Sequence, residues 1–175
     1  MVASDTLTAA FAQLETKGLI LRRPIPEDAA AHFAINSDRL AHQHNPSGPV
    51  RSPEQSQKLL ARDIDLWERH GFGYWAVSAK TDAAVIGFGG IGCMTWRQRE
   101  ILNVYYRFTP RVWGHGYAGE VVRAAIELGQ RWLPDCPIVV RTRPANSAAR
   151  RVAEKCGLER RPDLDTEHVI YALGW

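Results

Sequence analysis

Three glycines, Gly114, Gly116 and Gly119, fall in one ten-residue segment, Arg111-Val-Trp-Gly-His-Gly-Tyr-Ala-Gly-Glu120, between a β-rich run ending at Phe108 and an amphipathic helical stretch. This segment constrains the chain more than any other. Glycine lets a backbone approach a ligand closely. A helix starting directly behind it offers unpaired N–H groups and the positive end of its dipole. Together they make an anion site suited to a pyrophosphate. The same letters also describe an ordinary Gly-rich turn, so the surroundings must decide.

Those surroundings read as one domain, residues 1–175, with 45% hydrophobic and 23% charged residues. That size suits a single core and excludes disordered and collagen-like classes. Leu19 to Arg22 is a strand ended by Pro24 and Pro26. Pro26, Glu27 and Asp28 open a helix, because proline and acids suit a first turn. Ser52, before Pro53, is the N-cap of a second helix that places Leu59, Leu60, Ile64 and Trp67 on one face and ends at Gly71. Tyr74–Ala79, Val85–Ile91 and Leu102–Phe108 then form a meander of three strands. Helical period returns at residues 119–133, with Val121, Val122, Ala125 and Leu128 on the apolar face. Ile138–Thr142 is a strand, Asn146–Cys156 a helix stopped by Gly157, and His168–Leu173 a last strand.

No run approaches the roughly eighteen apolar residues of a membrane helix, and the N-terminal stretch has no signal-peptide pattern. A soluble, cytoplasmic protein is expected. Cys93, Cys136 and Cys156 lack CxxC spacing and read as packing thiols. The net charge of +3 does not call for nucleic acid. Arginine makes up 18 of the 22 basic residues; its planar fork suits a phosphorylated ligand, and codon usage explains the excess equally well.

Gly114-x-Gly116-x-x-Gly119 matches the dinucleotide fingerprint in letters and fails it in context. Thr109 to Trp113 separate the strand from the first glycine, the next strand ends in arginines rather than an acid, and too little chain follows for the rest of that fold.

Trp113-x-x-Gly116-x-Ala118 resembles instead the pyrophosphate loop of the GNAT N-acetyltransferases, usually written Q/R-x-x-G-x-G/A, and Arg111-x-x-Gly114-x-Gly116 fits in a second register. The form Trp-Gly-His-Gly-Tyr-Ala is similar to the branch containing the ribosomal-protein N-terminal acetyltransferases. Residues 144–158, PANSAARRVAEKCGL, resemble that branch's N-x-x-S-x-x-V-x-E-K-x-G-F signature. The resemblance implies an α/β fold with a mixed, mostly antiparallel central sheet flanked by helices. The sheet would be splayed between the fourth and fifth strands, 102–108 and 138–142. Acetyl-CoA, as co-substrate, would lie in the split. Amides of Gly114, His115, Gly116, Tyr117, Ala118 and Gly119 would hold its pyrophosphate. The strand edge at Tyr106, Arg107 and Phe108 would pair with the pantetheine, and Asn146 would hydrogen-bond it. Arg111 and Arg150 or Arg151 would meet the adenosine phosphates. The acceptor is a primary amine, of a protein N-terminus or a small molecule, with a homodimer as the assembly such enzymes often adopt.

Amide formation requires a deprotonated amine, a donor for the oxyanion and a proton for the leaving thiolate. Where the branch often carries Glu this chain has Asn103, which orients an amine or a water but is no base. Ala149 and Ala153 occupy the positions that usually protonate the thiolate. His168 and Glu100 remain as bases, with structural duty the commoner fate of a lone strand histidine. Ser147 reads as a helix cap or an acid. His42, His44, Trp75 and Trp96 are candidates for an acceptor pocket, Trp75 also for the core. The scattered histidines give no metal site. Two functions follow: an amine acetyltransferase, or an acyl-CoA-binding module without catalysis. A nucleotide-binding protein ranks below both.

Overall fold

The computed structural model describes residues 5–175, so Met1 to Ser4 of the expected domain lie outside the described residues. One eight-stranded sheet runs through it in the order β1-β2-β3-β4-β5-β6-β8-β7. The strands are β1 (Gln13–Glu15), β2 (Leu19–Arg22), β3 (Tyr74–Ala79), β4 (Asp82–Trp96), β5 (Arg99–Phe108), β6 (Ile138–Thr142), β7 (Glu159–Arg160) and β8 (Val169–Leu173). Five helices accompany them: α1 (Asp5–Ala12), α2 (Ala29–Asn36), α3 (Pro53–His70), α4 (Tyr117–Trp132) and α5 (Ser147–Lys155). No helix among the described residues is long and apolar enough to cross a membrane.

The sheet is antiparallel except where β5 meets β6. There the pairing is parallel and lasts two residue pairs, Leu102 with Ile138 and Asn103 with Val139. Beyond them β5 continues to Phe108 and β6 to Thr142 without joining. The expected fourth and fifth strands therefore part as the resemblance implies, renumbered because β1 precedes them.

Each face of β5 has its own core. Leu102, Val104 and Phe108 join Val121, Val122 and Ala125 of α4 in the largest cluster, with Tyr106 packed against it. Tyr105 packs on the other face against Ile35 of α2 and Leu60 of α3 with Phe88. The expected cap on α3 is present, Ser52 Oγ accepting from Gln55 N at 3.2 Å, and Gly71 ends the helix at φ 73°.

Several boundaries differ from the sequence expectations. The helix expected from Pro26 starts as a 3-10 turn, Pro26–Asp28, before α2. The run expected at Val85–Ile91 lengthens to 15 residues and closes on Arg99 through Arg97 and Gln98, both at positive φ. Its glycines clear room for rings. A Cβ at Gly87 would lie 2.4 Å from Phe108 Cδ1, one at Gly89 2.7 Å from Tyr106 Cβ, and one at Gly92 2.9 Å from Tyr74 Cζ.

Gly89→Ala should therefore destabilise the fold by about 1–3 kcal/mol, as overpacking does. Chemical denaturation checks this; an unchanged midpoint would show that β4 and β5 separate freely at this pair.

Candidate active site

The parting strands open a cleft of about 670 Å³ that runs from the glycine segment, along β5, to residues 40–45 of the connection between α2 and α3. At one end the chain makes a 3-10 turn, Pro110–Val112, then passes Gly114 at φ 85° and Gly116 at φ 81° into α4. Both values favour glycine. Gly116 is the N-cap of α4 and carries no side chain to cap it, so the first-turn amides keep their donors for another partner. Glu120 of that first turn does not cap its own helix: its Oε2 accepts from Thr16 Oγ1 at 2.5 Å and from Gly18 N at 2.8 Å in the turn joining β1 and β2. That contact pins the first turn of α4 to the neighbouring hairpin. Trp113 Nε1 donates to the Phe108 carbonyl at 3.2 Å and His115 Nδ1 to that of Val112 at 3.0 Å, fixing the loop's path.

Arg107, Arg123, Arg141, Arg151 and Lys155 all line the cleft, and no Asp or Glu does. Five cations without a carboxylate attract a polyanion strongly, since none is spent on an internal pair in the wall. Arg107 is oriented by Asn36 Oδ1, to which it donates at 2.9 Å, and by stacking over Tyr105.

The structure brings most of the expected cofactor residues together. Tyr106, Arg107, Phe108, Gly114, Gly116, Tyr117, Ala118, Gly119 and Asn146 line one cavity. Asn146 has a second duty that corrects the expectation for Ser147. Asn146 is the N-cap of α5, its Oδ1 accepting from Ala149 N at 3.0 Å, and Ser147 is the first helical residue. The cap uses Oδ1 and leaves the Asn146 Nδ2 donor outside it.

Others lie elsewhere. Arg150 points away from the cleft, its Nε donating to Tyr171 Oη at 3.4 Å and its Nη1 to the Pro144 carbonyl at 3.3 Å; Arg151, one helical step on, takes the lining position. Arg111 and His115 are outside the lining. His168 stands 3.7 Å from the Glu167 carboxylate, also outside the lining, and burial with Arg143 and Arg141 nearby lowers its pKa. Glu100 lies outside the lining too. Trp75 is fully buried and donates to the Phe11 carbonyl at 2.7 Å, a core role. Trp96 packs on Trp175 with Arg97 and Arg141 over its ring. His44 lines the cleft, whereas His42 is buried within its own loop against Asn45. Among the described residues no group of three side chains is placed to hold a metal ion.

Asn103, at the apex of the split, belongs to a polar group that sequence reading missed. Its Nδ2 donates to Tyr74 Oη at 3.0 Å, and the Tyr74 ring lies edge-on to Tyr105. Asp63 of α3 interacts electrostatically with both tyrosines, and burial pushes its carboxyl up to about 7. Burial likewise raises the Tyr74 phenol to about 12, against the Asn103 hydrogen bond. The apolar period of α3 gave no sign of Asp63, which sits on the flank of that stripe. Arg123 was more legible, lying i+4 from Gly119 on one helix face.

A mixed, split sheet with an uncapped helix terminus at the mouth of the split is the acyl-CoA N-acyltransferase fold. Residues 18–159 match the acetyltransferase (GNAT) domain model, and the chain belongs to that family. The uncharacterized protein YkkB of Bacillus subtilis strain 168 is 30% identical over 89 residues, about half of each chain (51% and 52%). The uncharacterized N-acetyltransferase YoaA of the same strain is 25% identical over 150 residues, 86% of this chain and 84% of its own. The acetyltransferase of Agrobacterium tumefaciens C58 superposes with a TM-score of 0.78 at 22% identity, over 93% of this chain and 94% of its own. RimL, a ribosomal L7/L12 α-N-protein acetyltransferase solved with coenzyme A, gives 0.73 at 17% identity over 90% and 94%.

Two outcomes are expected. Asn146→Asp retains the cap, since Asp and Asn cap equally well; it removes the amide donor, so melting temperature holds while acetyl-CoA affinity falls about tenfold. Asn146→Ala should lower both, and equal affinity for the two variants with wild type would deny the amide any ligand. Asp63 holds its proton in the folded state up to about pH 7 and loses it near 4 when unfolded. Over that window the unfolded state binds fewer protons, so this group makes stability fall as pH rises. His32 and His42, which burial lowers to about 4, act in the opposite sense. The readout is thus a difference: the melting temperature of Asp63→Asn should gain on wild type from pH 4 to pH 7 and level off above, and a constant difference would place the carboxylate in water.

Proposed function

We propose that the protein is an acetyl-CoA-dependent N-acetyltransferase that transfers the acetyl group directly to a primary amine, of a protein N-terminus or a small molecule, in a ternary complex. The observation carrying this reading is the cleft wall: a free helix terminus, five basic side chains and no acid, beside a strand edge that has lost its neighbour. Coenzyme A has matching chemistry, a polyanionic nucleotide joined to a thin diamide arm. YoaA, an uncharacterized N-acetyltransferase, and RimL, solved with coenzyme A, agree with it.

In this reading the amides from Gly114 to Gly119 take the pyrophosphate, with Arg123, Arg151 and Lys155 around the phosphates. The β5 edge from Val104 to Phe108 pairs with the arm's amides as an added strand would, and Asn146 donates to one of its carbonyls. The amine arrives from the side of residues 40–45, where Tyr105, Arg107 and Arg141 line the cleft. Asn103 and Tyr74 orient it at the apex. Asp63, Tyr74 and Asn103 lie outside the cleft lining, as His168 does; Asp63, with a pKa near neutrality and an electrostatic interaction with Tyr74, accepts the ammonium proton through Tyr74 or a water. Juxtaposition supplies much of the rate without further side chains. The reading carries a cytoplasmic location and requires neither nucleic acid nor membrane.

Calorimetric titration with acetyl-CoA, with NADPH as the control ligand, tests the cofactor. Micromolar binding with no NADPH heat is expected. Gly116→Asp should then lose at least tenfold more affinity than Gly116→Ala: both share the strain of positive φ, and only Asp brings a charge and an oxygen to occupy the helix amides. Equal losses would take the pyrophosphate away from this loop. Binding without acetylation of any amine in a broad panel would identify a non-catalytic acyl-CoA-binding module.

A further inference from the structure

Arg107 and Arg141 line the cleft on the side from which the amine arrives, where a cation is the wrong neighbour for an ammonium group. The two parting strands set them there. On β5, Leu102, Val104 and Phe108 face α4, so Tyr105 and Arg107 face the other way, toward α2 and α3. On β6, Ile138 and Val140 face α4, and Arg141 alternates with them, its guanidinium over the ring of Trp96. The other cations of the lining, Arg123, Arg151 and Lys155, belong to α4 and α5.

Neither strand arginine is neutralised. Of the half-buried arginines among the described residues, Arg22, Arg23, Arg143, Arg160 and Arg161 each hold a carboxylate, and Arg150 reaches Glu154 through the Tyr171 hydroxyl. Arg107 and Arg141, equally half-buried, have uncharged partners only. Arg107 donates to Asn36 Oδ1 at 2.9 Å and lies over Tyr105; Arg141 donates to Met94 Sδ at 3.4 Å and lies over Trp96. Those contacts orient each guanidinium and leave other N–H groups of the fork unspent. Partial burial costs a cation solvation, and an anion with matching oxygens is the partner that restores it.

Resting on the acetyl-transfer reading, we propose that the acceptor is a primary amine that also carries a carboxylate, and that Arg107 and Arg141 bind this carboxylate while the nitrogen reacts at the apex. Arg141 lies two residues beyond Val139, the last paired residue of β6, and Arg107 four beyond Asn103, roughly 7 and 13 Å along the strands. A carboxylate several bonds from the nitrogen matches that span: an acidic side chain following the first residue of a peptide, or the far end of an ω-amino acid. The same two cations disfavour polyamines and lysine-rich N-termini. In the transfer the nitrogen bonds the acetyl carbon and the carbon–sulfur bond breaks with its electron pair passing to sulfur. Of the two protons the ammonium sheds, one completes the thiol and one leaves to solvent; the carboxylate is unchanged.

The test measures coenzyme A release with a thiol reagent for two matched sets of amines. One set is ε-aminocaproate, its amide and cadaverine; the other is tripeptide amides of serine followed by two glutamates, two glutamines or two lysines. Wild type should favour the carboxylate member of at least one set by about tenfold or more in kcat/KM over both companions; the set that shows it separates a free amino acid from a protein N-terminus. Arg107→Gln and Arg141→Gln should each cut that preference to about threefold or less through a raised KM, with acetyl-CoA affinity by calorimetry held within about threefold. Arg151→Gln should do the reverse, keeping the preference and weakening acetyl-CoA. Should Arg107→Gln fail to fold, Arg107→Lys, which keeps the charge and loses the fork, is expected to retain an intermediate preference. A wild type that treats each set alike or prefers the diamine overturns the proposal and leaves acetyl transfer standing, as does a preference that survives both glutamine variants, or a loss of acetyl-CoA affinity in them equal to that of Arg151→Gln. No thiol release with any amine would remove the acetyl-transfer reading itself, and this inference with it.

Discussion

Parallel pairing between β5 and β6 stops after Asn103 and Val139, and the site depends on that early parting. Had the ladder continued, Val104 to Phe108 would spend their outward N–H and C=O groups on β6, and the space between the strands would be filled with side chains. Unpaired edge groups must be met by water or by something else. Here they face a cleft whose far wall is α5 and whose mouth is the bare first turn of α4. The parting is held from both ends: Glu120 ties α4 to the β1–β2 turn, and Asn146 caps α5 directly after β6. α4 cannot swing into the gap without breaking its bonds to that turn.

Much of this was legible in the residues. The change from period 2 to period 3.6 after Phe108, with glycines at the junction, places an anion site between a strand and a helix whatever the rest does. What escaped is local rotation. Asn146 and Ser147 are both good caps, and the choice between them decides which neighbouring arginine faces inward: with Asn146 as cap, Arg151 lines the cleft and Arg150 turns to Tyr171. A step of one residue on a helix is about 100°, enough to exchange a ligand residue for a surface one. β1 and β7, of three and two residues, exist because a neighbouring strand offers its edge, which no short window of sequence contains. Asp63 was invisible for a related reason. Its carboxyl is perturbed by α3 settling on Tyr74 and Tyr105, residues that come later in the chain.

The glycine run of β4 shows how sequence can prepare a site it never touches. Glycine costs strand stability through backbone entropy and lost packing. In Ile86-Gly-Phe-Gly-Gly-Ile-Gly92 that loss is offset by rings from the neighbouring strands, Phe108 over Gly87 and Tyr106 beside Gly89 on the α4 face, and Tyr74 over Gly92 on the other. Bulky residues on β5 are thereby held close to the sheet, leaving the cleft free above them. The same arrangement seats the Tyr106 hydroxyl where the protein offers it no acceptor.

Charge bears on how two substrates of opposite sign can share one apex. A polyanion is drawn to the wall carrying Arg123, Arg151 and Lys155, which repels an ammonium group. On the α3 side Asp63 interacts electrostatically with Tyr74, whose hydroxyl accepts a hydrogen bond from Asn103. Because burial holds that carboxyl near neutrality, its charge is available to a cation and is lost when it takes the cation's proton. Under the acetyl-transfer reading, an amine arriving there is attracted while protonated and becomes nucleophilic by the transfer that discharges its attractor. Under the acetyl-transfer reading, charge therefore assigns the cleft wall to the polyanion, and the amine depends on the apex group rather than on the wall for its attraction.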